Sequence, residues 1–92
     1  MTEADIQRAI RKEIERRGGK CIKIHGNEFT VAGTPDLLGG LDGRPFAIEV
    51  KRPGGKPTEK QAHELAGWEA QGWAVGIAHS VQDALQILGV AQ

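Results

Sequence analysis

Isoleucines at positions 6, 10 and 14 recur at helical spacing along an otherwise polar run, the pattern of one apolar helix face. Thr2 precedes that run as an N-cap and Asp5 adds an acidic first-turn residue, so the spacing predicts a helix from Glu3 that Gly18-Gly19 ends. Lys20-Cys21-Ile22-Lys23-Ile24-His25 alternates with period two, predicting a strand with Ile22 and Ile24 inward. Positions 26–35 read as a loop. Asp36 to Leu41 and Pro45 to Lys51 read as two strands joined by Asp42-Gly43, since an Asp-Gly pair accepts the positive φ angles of a type I′ hairpin. A Gly/Pro-rich loop over 52–57 follows. Thr58-Glu59-Lys60-Gln61 is a capping box, opening a helix with Ala62, Leu65 and Ala66 on its core side and Gly72 at its end. Trp73 to Ala78 is a short apolar strand. Ser80 caps a last helix with Val81, Ala84, Leu85 and Leu88 at i, i+3, i+4 and i+7.

The predicted order is therefore αβββαβα. Three meandering strands are followed by a fourth that arrives through a helix, which predicts an α/β fold with a mixed central sheet flanked by helices. At 92 residues the chain is read as a single domain, 1–92. There is no internal repeat and no apolar run long enough for a membrane span, and the N-terminus reads as charged helix rather than as a signal peptide. Cys21 stands alone and cannot form an internal disulfide, so a cytoplasmic setting is expected; it reads as a small hydrophobe of a half-buried strand. Twelve basic and twelve acidic residues cancel, so net charge gives no pointer to nucleic acid. The distribution says more: basic residues gather between Arg8 and Lys23 and between Lys51 and Lys60, and such clusters bind phosphates or serve as solvated helix faces.

The hairpin turns a string of letters into a geometry. If Asp42 and Gly43 form the loop, Leu41 pairs with Arg44, and Asp36 falls opposite Glu49 in a non-hydrogen-bonded pair, whose Cα atoms are about 4.5 Å apart. Lys51 lies two residues on and shares their face, while Leu37, Ile48 and Val50 point the other way. Two facing carboxylates repel by up to about 1 kcal/mol. A divalent cation reverses that sign, and hard oxygens at this spacing suit Mg²⁺ or Mn²⁺. The competing reading is a solvated pair partly neutralised by Lys51. A bulge at Gly39-Gly40 would shift the register and weaken the geometry.

Further residues join with alternatives open. Glu3 continues the buried stripe of the first helix, where it can reach a metal or simply complement the helix dipole. Gln7, on the same side, reads as a structural polar residue. Gln61 is explained by the capping box, yet projects toward the hairpin if its helix packs beside the strand carrying Lys51. Lys23 and His25 share a strand face and can contact phosphate if that face carries the carboxylates. Trp68 and Trp73 read as core or dimer packing rather than base stacking. His63 and His79 lack ligand spacing and receive no role.

Gly33-Thr34-Pro35-Asp36, Phe46-Ala47-Ile48-Glu49-Val50-Lys51 and Thr58-Glu59-Lys60-Gln61, together with Glu3, resemble the motifs of the PD-(D/E)XK nuclease superfamily, and more narrowly the VRR-NUC (virus-type replication-repair nuclease) domain. The resemblance runs from Glu3 to the last strand. It implies a restriction-endonuclease-like αβββαβ(α) core and a metal-dependent DNA endonuclease. Asp36, Glu49, the Val50 carbonyl and Glu3 would bind Mg²⁺ or Mn²⁺, and Lys51 and Gln61 would complete the catalytic set. Similar stand-alone members, found in phages and bacteria, act as homodimers and resemble Holliday-junction resolvases, which implies branched or duplex DNA as partner and a bacterial or phage-infected cytoplasm. The DNA-contacting cations are not fixed by the motifs; Lys23, His25, Arg52, Lys56 and Lys60 are the candidates. The alternative is a DNA-binding module of the same fold without turnover.

Overall fold

A computed structural model describes residues 1–27 and 30–91; positions 28 and 29 of the expected 26–35 loop lie outside the described residues. The elements are α1 (Glu3–Arg16), β1 (Lys20–Lys23), β2 (Leu37–Leu41), β3 (Arg44–Val50), α2 (Glu59–Ala70), β4 (Ala74–Ala78) and α3 (Val81–Leu88). They build one four-stranded sheet in the order β1-β2-β3-β4. The first three strands pair antiparallel, and β4 lies parallel to β3, as a strand delivered by a helical crossover should. This is the restriction-endonuclease-like arrangement expected from the sequence. No helix among the described residues is long and apolar enough to cross a membrane.

Local chemistry accounts for the boundaries. Thr2 caps α1 in a reciprocal box with Asp5, Thr58 caps α2 with Gln61, and Ser80 caps α3. Asp42 (φ 52°) and Gly43 (φ 78°) both occupy the left-handed region that the two-residue hairpin demands. The predicted register holds, Leu41 opposite Arg44 and Leu37 opposite Ile48, with Gly39 and Gly40 paired without a bulge. Gly39 is needed there, because a Cβ would sit within 1.9 Å of the Lys20 carbonyl oxygen. Ile6, Ile10 and Ile14 of α1 pack with Leu37, Phe46, Ile48, Val50, Ala84 and Leu88 into the main core. This puts α1 and α3 on one sheet face. On the other, α2 covers the side that carries Glu49.

Four expectations need correction. In β1 the inward residue is Cys21, at 5% exposure, whereas Ile22 is 49% exposed. Cys21 pairs with Gly39, which pairs with Phe46, so the register turns Cys21 to the α1 face and Ile22 to a part of the sheet beyond the reach of α2. The strand also ends at Lys23, although the Ile24 amide still donates to the Asp36 carbonyl at 2.8 Å. In α2, Leu65 is buried but Ala62 and Ala66 are exposed, and Gln61, Glu64 and Trp68 are half-buried. The helix is rotated to seat Gln61 over Glu49 and Trp68 against Trp73, whose ring centroids are 4.4 Å apart. Finally, Lys23 pairs with Leu37, and Leu37 with Ile48; by alternation Lys23 sits on the α1 face, opposite the carboxylates.

Candidate active site

Asp36 precedes β2 by one residue, and the hairpin register carries it across from Glu49. One Asp36 oxygen, Oδ2, accepts the Val50 amide at 2.9 Å, so the backbone of β3 itself fixes that carboxylate. Glu49 is only 2% exposed. Its Oε2 accepts from Gln61 Nε2 at 3.0 Å and lies 3.5 Å from Lys51 Nζ. Its Oε1 is buried without a hydrogen-bond partner. Burial, and then the charge and close contact of Asp36, push the Glu49 carboxyl up to about 7, against a smaller opposing pull from Lys51.

This is an arrangement a folded chain does not gain from on its own. A buried acceptor left unmatched costs about 1–3 kcal/mol, and a second carboxylate adds repulsion. A divalent cation would supply what both groups lack. Magnesium takes one or two carboxylates and completes its shell with water and phosphate oxygens, which matches a two-carboxylate site. Among the described residues no group of three or more His, Cys, Asp or Glu side chains is placed to hold an ion. Glu3 is half-buried and lines a neighbouring cleft of about 640 Å³ with Lys51, Arg52 and Lys56; it flanks the pair from the Lys51 side without joining it. On the other flank, Asp36 opens onto a cleft of about 550 Å³ whose walls include Ile24, Asn27, Thr30 and Gly33.

Gln61 does two things at once. Its Oε1 accepts the Thr58 amide at 2.9 Å, closing the capping box, and its Nε2 holds Glu49. The two roles left open by the sequence are geometrically compatible, because an amide has a separate donor and acceptor end.

No family model and no curated protein matches the sequence. Solved structures do. A VRR-NUC domain is 25% identical, with 100% of both chains covered and a TM-score of 0.79. The chain has the fold of a VRR-NUC domain. A second solved VRR-NUC domain protein is 18% identical over 97% of this chain and 86% of that one, with a TM-score of 0.77. Archaeoglobus fulgidus Hjc, a Holliday junction resolvase from an archaeal hyperthermophile, shares the fold at 20% identity and a TM-score of 0.64, covering 82% of this chain and 65% of Hjc.

Around this site the candidate cations fall into separate places. Arg52 and Lys56 border the cleft beside Lys51. Lys60 is exposed on the first turn of α2, and His25 is exposed beyond the end of β1. Lys23 lies in a small cleft against α1 with Gln7, Arg8 and Arg11.

Two supporting contacts escaped the sequence reading. Gly33 (φ 85°) lies so close to α2 that a Cβ would stand 2.6 Å from the Lys60 carbonyl oxygen and 3.0 Å from the Gln61 amide. The turn before Asp36 is thereby seated on the helix end that carries Gln61. His79, without ligand spacing in the sequence, follows β4 beside Lys51, whose amide donates to the Ala78 carbonyl at 3.0 Å. Its Nε2 is 2.9 Å from the Gly55 carbonyl oxygen, and Asp83 Oδ2 accepts the His79 amide at 2.8 Å and lies 3.3 Å from Nδ1. A carbonyl only accepts, so Nε2 must donate. The ring thus fastens the Arg52–Lys56 turn to the start of α3. The Asp83 spacing from His79 was a readable signal; the contact with Gly55, 24 residues away in sequence, was not.

Proposed function

We propose that this chain is a nuclease of the VRR-NUC type, a divalent-metal-dependent endodeoxyribonuclease that hydrolyses phosphodiester bonds, selective for branched DNA and active as a homodimer. The observation that carries the reading is the buried Glu49 with an unmatched oxygen, facing Asp36 and flanked by Lys51. Asp36 and Glu49 would hold Mg²⁺ or Mn²⁺ with the Val50 carbonyl as a further oxygen donor, and Glu3 would reach the ion through water. When bound, such an ion lowers the pKa of a water and polarises a phosphoryl oxygen.

The rest falls to the chain. The Val50 amide and Gln61 fix the two carboxylates, so their oxygens are positioned before substrate arrives. Lys51 presents its ammonium toward the reacting phosphate, orienting the attacking water and offsetting charge that develops on the phosphoryl oxygens. Arg52 and Lys56 would receive the flanking phosphates, with Lys60 and His25 farther out. The preference for branched DNA is supported by likeness to Hjc, a Holliday junction resolvase. Dimerisation is supported by the sheet surface that α2 leaves open, where exposed Ile22 lines an apolar depression with Leu38 and Trp73; Ile22→Glu should then give a monomer by light scattering.

The test is cleavage of labelled four-way junction, flap and linear duplex DNA with Mg²⁺, Mn²⁺ or chelator, alongside Glu49→Ala and Lys51→Ala. The reading requires cleavage that depends on the metal and is lost in both variants. Cleavage in chelator, or full activity in both variants, refutes it. Binding without cleavage of any substrate would identify a DNA-binding module instead.

A further inference from the structure

The cleft between α1 and β1, on the far side of the sheet from Glu49, has no role in the chemistry above. It measures about 110 Å³ and is lined by Ala4, Gln7, Arg8, Arg11 and Lys23. Gln7 is 7% exposed, and its Oε1 has no hydrogen-bond partner; nor does the buried Nε of Arg11. Arg8 at the rim is held by Asp5 at 3.2 Å, but among the described residues neither Arg11 nor Lys23 has a carboxylate within ion-pair distance. Two cations without such a partner, one of them with its Nε open, and a glutamine whose oxygen is unmatched therefore line one small space.

We propose that Gln7, Arg11 and Lys23 form a binding subsite for a single phosphodiester of a nucleic-acid strand. The volume, roughly that of three to four liquid waters, admits one tetrahedral oxyanion with a water but no base or sugar. Arg11 and Lys23 supply donors only, which calls for an anion. Gln7 Oε1 requires a donor, which a water accompanying the phosphate provides. Location fits as well. Lys23 adjoins Ile24, whose amide is bonded to the Asp36 carbonyl. One helical turn, about 6 Å, separates Gln7 from Glu3, which lines the Lys51 cleft. The first two turns of α1 thus border both places, and one strand can touch both. The subsite rests on the nuclease reading only for the identity of that strand.

The experiment measures duplex and junction affinity in chelator over a salt series, so that binding is read without cleavage. Each phosphate neutralised contributes about 0.9 to the slope of log K against log salt for duplex DNA. The double variant Arg11→Met/Lys23→Met should lower the magnitude of that slope by about 0.9, the count of one shared phosphate. Arg11→Lys should keep the wild-type slope. Gln7→Glu, nearly isosteric, supplies an anion from within; it should lower the slope as the double variant does while raising Tm. Lys12→Met, exposed on the same helix outside the cleft, is the control and should leave the slope unchanged. An unchanged slope in folded double variant and Gln7→Glu overturns the subsite, as does a loss near twice 0.9, which marks two separate surface cations. Wild-type protein that binds with the expected slopes but fails to cut in Mg²⁺ or Mn²⁺ would overturn the nuclease reading and leave the subsite standing.

Discussion

The two faces of β3 are buried alike and satisfied very differently. On one, Phe46, Ile48 and Val50 are each fully buried among α1, α3 and β2 side chains. On the other, one residue out of step, Glu49 is equally hidden but faces Asp36, with one oxygen unmatched. Burial on the first face is favourable by roughly 25 cal/mol per Å² of apolar surface. On the second it opposes folding, because removing a carboxylate from water without a full set of partners costs free energy. A strand that carries both divides its work: one face holds the fold, the other holds a charge in readiness for something absent from the chain.

Substitutions that exchange the two losses test this most severely. Glu49→Gln should leave the domain folded and reduce single-turnover cleavage by at least about 10³-fold, and Lys51→Ala by about 10²–10³-fold, the range for losing one electrostatic contact to a transition state. Phe46→Ala should do the reverse, costing about 3–5 kcal/mol, enough to unfold a small domain before catalysis can be assayed. Circular dichroism beside cleavage rates distinguishes the two. An unfolded Glu49→Gln protein would erase the contrast between the faces.

The next prediction concerns pH. Glu49 titrates near 7 in the folded chain against an ordinary value of 4.5. Between those values the folded state holds the proton more tightly than the unfolded state, so the stability it contributes is complete below about 4.5 and is lost as pH rises through about 7. In chelator, urea midpoints should therefore fall over that window. Glu49→Gln should flatten the fall and exceed wild type in stability at pH 8. Added Mg²⁺ should stabilise wild type most above pH 7, where no proton competes for the carboxylate. A midpoint that rises with pH in chelator would show that Lys51 outweighs burial and Asp36.

Much of this was legible because a hairpin with a two-residue turn leaves no freedom of register: Asp42-Gly43 alone carries Asp36 to Glu49. Repeating isoleucines placed α1 for the same kind of reason. What the sequence could not convey depends on how elements are rotated against one another. Spacing points to Ala62 and Ala66 as the inward stripe of α2 and the structure exposes them, because small apolar residues mark a helix face weakly while Gln61 and Trp68 are drawn in by partners in other elements. Cys21 and Ile22 exchange places because β1 takes its register from Gly39, and a short alternating run does not reveal which of its two faces is covered. The open atoms of Gln7 and Arg11 exist only once α1 is laid on β1.

A smaller effect should come from Gly33, which joins the two regions that hold the carboxylate pair. Gly33→Ala forces a side chain into φ 85° and against the Lys60 carbonyl oxygen. The expected cost is at least about 1 kcal/mol, more than a compatible glycine site would show. Because the displaced atoms begin the turn that carries Gln61, cleavage should fall further than the loss of folded protein explains. Comparing rate with folded fraction at several temperatures tests this; a strictly proportional loss would confine Gly33 to stability.

The smallest expected change is at His79, and it asks whether the loop beside Lys51 belongs to the prepared face or is merely attached to it. His79 Nε2 bonds the Gly55 carbonyl, and Gly55 in turn folds back on Arg52, its amide donating to the Arg52 carbonyl at 2.8 Å. Removing the ring in His79→Ala frees the Arg52–Lys56 turn without touching Asp36, Glu49 or Lys51. Ordering that turn on substrate would then be charged against binding, since each immobilised long side chain costs about 0.5–1.5 kcal/mol. The expected result is a several-fold rise in KM with kcat nearly unchanged, together with faster proteolysis at 52–56. His79→Gln retains a donor of similar reach and should recover part of the loss. A fall in kcat at saturating DNA would instead mean that this turn helps set the position of Lys51, extending the prepared face from the sheet into the loop.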